Sequence, residues 1–420
     1  MASLSNRTGV LLQQLGPSLL VAKQPSLTDT DSIIDISGGE NELLQQELHQ
    51  VLQLAISGAT ADELFSLPVT FGGNQDAREN LTKFFNVYFD PARKVLPDQI
   101  VLTAGAGNGI EILMQSICDE GDSVIVPAPL WFGFLPYISG RSKVNIITAT
   151  PPNYARHAQD LVLAIEAAFE AAQEPSRVKA LILTNPQNPL SRCYPKDVIL
   201  ECVKFCNKKG LHFISDEIYA LATFGSAING QPRFHSALSI QPEPEDGLSF
   251  DPSKIHVVWS PSKLFGLGGL RIGCIVSQDN PPLRAATSLL AYAGISALST
   301  SMLNTLLASP ALPELLEKNS SRLTASYQIF ADGLACLGVD FIPASEGLFV
   351  FARIGKDLQS QEEELALKAN LEQHEGVRVS PGWLYNQSTR EFGWARLTIS
   401  IPQERAEEVM VRLSNFLTKN

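Results

Sequence analysis

The sequence predicts an α/β fold: a three-layer, mostly parallel sheet covered by helices, joined to a smaller α+β domain. Three observations carry this expectation. Short apolar runs alternate with amphipathic helical stretches between about residues 100 and 276, the pattern of a parallel sheet buried on both faces. Polar segments rich in proline, asparagine or glycine follow directly on those runs. Beyond Pro313 the pattern changes to one long helical stretch, two strands and a terminal helix.

Residues 1–64 are expected to form an N-terminal arm and part of the small domain, with a helix over about 41–57. Residues 65–313 are expected to form the large domain, and 314–420 the C-terminal small domain. In the large domain, 100–103 reads as a strand. The turn Ala104-Gly105-Ala106-Gly107-Asn108-Gly109 then opens a helix that runs to Cys118. A short strand over 123–127 and an amphipathic helix over 160–173 follow. The run 179–184 is a wholly buried type of strand. Pro195 starts a helix that Gly210 stops, the usual asymmetry of helix ends. Further strands are expected at 211–215, 255–259 and 272–276. The stretch 241–253, rich in proline and acid, reads as a surface loop. The small domain supplies a helix to about Leu337, strands at 347–354 and 396–401, and a helix over 403–417.

The chain has 420 residues, of which 45% are hydrophobic, and a net charge of −12. That is ample material for a core. It gives no electrostatic footprint for nucleic acid or an anionic membrane. The six cysteines form no CxxC pair. Cys202 and Cys206 share a predicted helix, but no histidine pair completes a metal site, so buried free thiols and no metal are expected. No run of about 18 apolar residues occurs, and the first residues carry no long apolar core or cleavage signature. A reducing, cytoplasmic setting is expected.

Three polar segments follow three of the predicted strands: Asn185-Pro186-Gln187-Asn188-Pro189-Leu190, Asp216-Glu217-Ile218-Tyr219 and Ser260-Pro261-Ser262-Lys263. Ligands of open parallel sheets bind at the carboxyl ends of strands, so Asn188, Asp216, Tyr219 and Lys263 are expected to share one crevice. A lysine at a strand end can form an imine with an aldehyde, and two hydroxyls with Arg271 can hold a phosphate. Pyridoxal 5'-phosphate (PLP) has both groups. The turn at 104–109 offers backbone donors at a helix N-terminus. It is not a dinucleotide fingerprint, because Ile110 stands where GxGxxG needs its third glycine.

On these motifs the chain resembles the fold-type-I PLP-dependent enzymes of the aspartate aminotransferase superfamily. More narrowly, it is similar to the branch of 1-aminocyclopropane-1-carboxylate (ACC) synthase-like proteins, especially fungal ones. The resemblance implies that Lys263 anchors the cofactor and then moves the Cα proton of an L-amino acid. It implies that Asp216 pairs with the ring nitrogen, and that Asn188 and Tyr219 donate to the ring's phenolic oxygen. Ala106, Gly107, Asn108, Ser260, Ser262 and Arg271 take phosphate positions, and Trp131 stacks on the ring. Arg396 matches the arginine that grips the substrate carboxylate. Glu40 matches a glutamate that approaches the substrate. A homodimer with its site at the subunit interface is also implied.

The chain departs from the branch at several points. Phe71 stands where relatives often carry a tyrosine that reaches the neighbouring subunit. Leu264 replaces an aspartate, and Ser191 replaces a glycine. These changes leave PLP binding intact and point away from authentic ACC synthesis, toward a larger or more apolar substrate. Two reactions share the early proton transfer. One is elimination or replacement of a β- or γ-leaving group, with C–S cleavage the first choice. The other is transamination to a keto acid. A PLP-binding protein without catalysis is a third, remote reading.

Overall fold

The computed structural model describes residues 8–9, 12, 33–60, 64–65, 70–224, 230–241, 250–386 and 391–419. Most of the expected N-terminal arm and of the 241–253 loop lies outside them.

A first strand, β1 (Ile34–Asp35), is short. Seven strands then form the main sheet: β2 (Ile100–Thr103), β3 (Ser123–Pro127), β4 (Asn145–Ala149), β5 (Val178–Thr184), β6 (His212–Asp216), β7 (Ile255–Trp259) and β8 (Gly273–Val276). Their order is β2-β8-β7-β6-β5-β3-β4. β8 pairs antiparallel with both of its neighbours, and the other pairs are parallel. This arrangement places the site. Thr184, Asp216 and Val258 lie side by side in register, so the segments that follow them emerge together. Because β8 runs backwards, its first residue, Gly273, pairs with Thr103 at the end of β2. Arg271 therefore arrives at the same edge as the turn at 104–109.

The second sheet is built from β9 (Phe341–Ile342), β10 (Phe349–Arg353), β12 (Ser380–Pro381) and β13 (Trp394–Thr398), in the order β12-β13-β10-β9. β11 (Val377–Arg378) pairs in parallel with β1 instead, so the N-terminal segment is stitched to this half of the molecule. The long helix Leu312–Cys336 packs on the terminal helix Gln403–Lys419.

Strands and helix ends follow the sequence closely where side chains decide them. The helix Lys196–Lys209 ends on Gly210 at φ +72°, a left-handed conformation that glycine adopts at little cost. The N-terminal helix begins later than expected, at Gln45 rather than near residue 41. Asn41 is occupied elsewhere, as described below. Edge strand β4 was not expected: its sequence, NIITA, is half-exposed and lacks a continuous apolar signal. The thiols need one correction. Cys193, Cys202, Cys206 and Cys274 are buried, but Cys118 is only partly so and Cys336 is exposed.

The strand that leads to Lys263 is firmly seated. Trp259 is fully buried, and its ring lies 5.0, 6.0 and 6.5 Å from those of Phe84, Phe85 and Phe89. Aromatic pairs, two of them edge-on and one tilted, add about 0.5–1.5 kcal/mol each beyond their buried area. They fix the strand end on which the lysine turn is built.

Candidate functional site

A cavity of about 970 Å3 lies where the carboxyl edge of the main sheet faces the second sheet and the segment after β1. That is the upper end of the usual range for small-molecule sites, roughly 300–1,000 Å3. Its wall includes Lys263, Asp216, Tyr219, Asn188, Ser262, Arg271, Arg396, Trp131, Glu40, Ala106 and Gly107. Residues drawn from widely separated stretches of sequence thus meet in one place.

Lys263 lies on a single helical turn, Pro261–Leu264. Its Nζ donates to the Gly39 carbonyl at 2.7 Å and stands 4.0 Å from Glu40 Oε1. Burial holds the amine below the usual lysine range. Glu40 opposes that shift, while Arg396 and Arg271 reinforce it. An amine so placed is neutral more often, as a nucleophile or base must be. Gly39 permits this approach: a Cβ there would lie 3.1 Å from Lys263 Nζ.

Asp216 is buried at the end of β6. Thr184 Oγ1 lies 3.5 Å from its Oδ2, the Ile218 backbone amide also donates to the carboxyl, and Oδ1 has no hydrogen-bond partner among the described residues. Burial pushes its carboxyl up to about 7. A buried, unpartnered carboxylate oxygen in a cavity wall calls for a cation or donor opposite it. Tyr219 accepts from Asn188 Nδ2 at 3.2 Å, and burial raises its phenol well above the ordinary range.

The anion end is equally distinct. The helix Ala106–Ile117 starts at the cavity, and the N–H groups of its first turn have no intrahelical acceptors. Arg271 reaches over that turn and donates to the Gly268 and Ala104 carbonyls at 3.1 and 3.4 Å. A Cβ on Gly105 would come within 2.8 Å of its guanidinium. Ser262 lines the wall, whereas Ser260 and Asn108 do not. The Ser260 hydroxyl donates to the Ile272 carbonyl at 2.8 Å and sits 2.6 Å from Ser262 Oγ. Asn108 Oδ1 accepts from Ala104 N at 3.1 Å. Both side chains brace the cradle from behind.

Arg396, on β13, is buried between rings, with its guanidinium 4.0 Å from the Phe349 ring centre and 5.1 Å from that of Tyr385. It donates to Asn188 Oδ1 at 3.1 Å and to the Ser37 and Gly38 carbonyls at 2.7 Å each. Among the described residues its Nε has no hydrogen-bond partner. Phe349 is itself held by Ser191, whose hydroxyl accepts from Phe349 N at 3.0 Å. Ser191 sits at φ +48°, a region costing a non-glycine residue about 1–2 kcal/mol. The hydroxyl's bond explains why serine serves there. Leu264 is fully buried in the core. Phe71 is 59% exposed, with its ring 5.6 Å from that of Tyr292.

Several wall residues were not expected from sequence. Thr184 touches Asp216, and Tyr137 packs so tightly on Gly107 that a Cβ there would lie 2.7 Å from its ring. Phe132 and Leu384 add an apolar wall. At one side Arg378 pairs with Asp35 and Glu372 at 3.1 and 2.7 Å. Thr184 ends an expected strand and carries a hydroxyl, a signal that was available. The others had none.

This fold and this cavity define a PLP enzyme of fold type I, and comparison with known proteins agrees. The family model for aminotransferase class I and II matches residues 31–413, so the chain belongs to that family of PLP-dependent enzymes. A probable aminotransferase, aclI, of Aspergillus oryzae is 36% identical over 420 residues, covering 100% of this chain and 99% of that protein. A Cucurbita maxima ACC synthase, CMA101, is 31% identical over 77% of this chain and 67% of its own length. Aspartate aminotransferase from Thermus thermophilus with maleate superposes with a TM-score of 0.76. It covers 99% of this chain and 100% of its own at 19% identity, a likeness of fold alone.

The cavity suits PLP on its own terms. Asp216 offers a buried carboxylate with one oxygen unpartnered among the described residues for a ring cation, Lys263 an amine for the aldehyde, and the cradle of Arg271, Ser262 and helix N–H groups a seat for the phosphate.

Proposed function

We propose that this chain is a PLP-dependent lyase that removes a sulfur leaving group from Cβ or Cγ of an L-amino acid. When bound, PLP supplies an aldehyde that takes the substrate amine and a ring that accepts the electron pair left at Cα. The chain's own groups do the rest. Arg271, Ser262 and the N–H groups of Ala106 and Gly107 would hold the phosphate, and Asp216 would keep a proton on the ring nitrogen. Asn188 and Tyr219 would donate to the ring's phenolic oxygen, and Trp131 would cover the ring. Arg396 grips the substrate carboxylate through its planar fork. Lys263 moves the proton at Cα.

The observation that carries the choice of reaction is Glu40, a carboxylate 4.0 Å from Lys263 Nζ in the same cavity wall. Transamination moves one proton along one path, and a single lysine suffices for it. Elimination must also manage charge at a departing atom, which gives a second acid–base group a task. The size of the cavity and the apolar surfaces of Trp131, Phe132 and Leu384 favour a bulky substrate. Amino transfer is the second reading, favoured by the names of relatives such as aclI.

The deciding experiment incubates the protein and PLP with sulfur amino acids, including S-adenosylmethionine and cysteine conjugates. Half the samples receive a keto-acid acceptor, and products are followed by mass spectrometry. Release of a sulfur fragment without acceptor is expected. Turnover that occurs only with acceptor would replace this reading with the second.

Arg396→Ala is expected to raise KM for the amino acid at least tenfold while changing PLP affinity by less than about threefold, because truncation removes a charge-assisted bidentate contact worth about 1.5–3 kcal/mol. Equal losses for both ligands would show that the arginine only braces Asn188 and the Ser37–Gly38 carbonyls.

The chain's own division into domains, with residues 1–64 completing the 314–420 unit beside 65–313, is proposed on the β1–β11 pairing. Members of this family typically act as dimers. A homodimer of this chain is proposed on its exposed Phe71, Leu289, Leu290 and Tyr292, and a monomeric mass in sedimentation would refute it. Its free thiols favour the reducing cytoplasm.

A further inference from the structure

We infer that Asn41 is a positioning residue for Lys263: its side-chain amide clamps the lysine turn to the segment carrying Gly39 and Glu40, with Asn319 as the anchor. The inference rests on Lys263 being the residue that holds the cofactor.

The turn Pro261–Leu264 is too short to satisfy its last carbonyls. Asn41 Nδ2 takes that part, at 3.0 Å from both the Lys263 and Leu264 oxygens. The same nitrogen lies 2.9 Å from Asn319 Oδ1, in the middle of the long helix Leu312–Cys336. Asn41 Oδ1 accepts from Leu43 N at 3.1 Å. Both asparagines are buried, at 3% and 0% exposure, so water does not replace these bonds.

The backbones are also in contact. Gly266 has φ +68°, and a Cβ on it would fall 2.1 Å from the Asn41 carbonyl oxygen. Two residues before Asn41, the Gly39 carbonyl accepts from Lys263 Nζ. One short segment thus holds the lysine at both ends, its backbone through Asn41 and its tip through Gly39. Glu40 stands between them. An aspartate at 41 has the same shape but only acceptors, and would face two carbonyls.

The test compares Asn41→Asp, Asn319→Ala and Lys263→Ala as PLP-loaded enzymes. It also follows amide hydrogen exchange of the peptide spanning 260–267 in the cofactor-free proteins. For Asn41→Asp, kcat is expected to fall on the order of 10–10²-fold, the scale of a small misplacement of a catalytic group, with KM changing far less. The pH midpoint of the visible absorbance should move by about half a unit or more, because Glu40 is no longer fixed beside the amine and a carboxyl now lies against the lysine turn. Exchange over 260–267 should quicken. Asn319→Ala should move each readout the same way by less, and it decides alone if Asn41→Asp does not fold. A midpoint, kcat and exchange rate that all match wild type would overturn the inference. A visible band that persists in Lys263→Ala would instead overturn the reading on which it rests.

Discussion

Lys263→Ala is expected to give a folded protein with none of the visible absorbance of the PLP-loaded wild type, and turnover lower by at least about 10²–10⁴-fold, the range lost with a positioned acid–base group. The geometry makes the effect large. The amine is mostly buried, donates to a backbone carbonyl, and is kept below the usual lysine range by burial. Its position is set by Trp259 behind it and by the Asn41 amide beneath it. Folding should survive, since removing the buried amine leaves only the Gly39 carbonyl to find another partner, and the exposed Glu40 carboxylate stays open to water. Lys368 also lines the cavity, which gives a sharp control. If the band is lost in Lys368→Ala and kept in Lys263→Ala, the anchor has been misassigned. Reduction with borohydride followed by peptide mapping would locate it directly.

What the sequence revealed, and what it hid, follows from where the information resides. The runs at Ile100–Thr103, Ser123–Pro127 and Ile255–Trp259 were legible to the residue because a strand covered on both faces must be apolar throughout. The direction of Gly273–Val276 was not, since an apolar run carries no sign of which way it points. That direction matters, because the reversal delivers Arg271 to the cradle. Lys263, Asp216, Asn188 and Arg271 were found because each follows a strand or carries a charge that needs a purpose. The Ser37, Gly38 and Gly39 carbonyls were invisible, although they hold Arg396 and Lys263. A backbone acceptor has no letter in the sequence. Asn41 was hidden for a related reason: it resembles an ordinary helix-start asparagine, and its partners lie more than two hundred residues away.

Asp216→Asn is expected to separate stability from function in opposite directions. In the cofactor-free chain the Asp216 carboxyl sits at about 7, against an ordinary value of 3.8, because burial disfavours its charge. The folded state therefore keeps a proton that the unfolded chain has released. Below about pH 4 the group costs nothing. As pH rises from there toward 7 it becomes progressively destabilising, and the penalty levels off above that. A rise from 3.8 to about 7 corresponds to a penalty on the order of 4 kcal/mol. Asparagine has the same shape and no charge, so the cofactor-free variant should gain stability relative to wild type as pH rises from about 4 to about 7. Thermal or urea unfolding at a series of pH values measures that divergence. The loaded enzyme should show the reverse. With no carboxylate to hold a cation in the ring, turnover should fall by about 10²–10³-fold, the cost of losing one preorganised electrostatic partner, and PLP should dissociate more readily. Parallel stability curves for the two cofactor-free proteins would mean that Asp216 is ionised and satisfied without the ring. Its unpartnered oxygen would then no longer be a sign of what the cavity is built to hold.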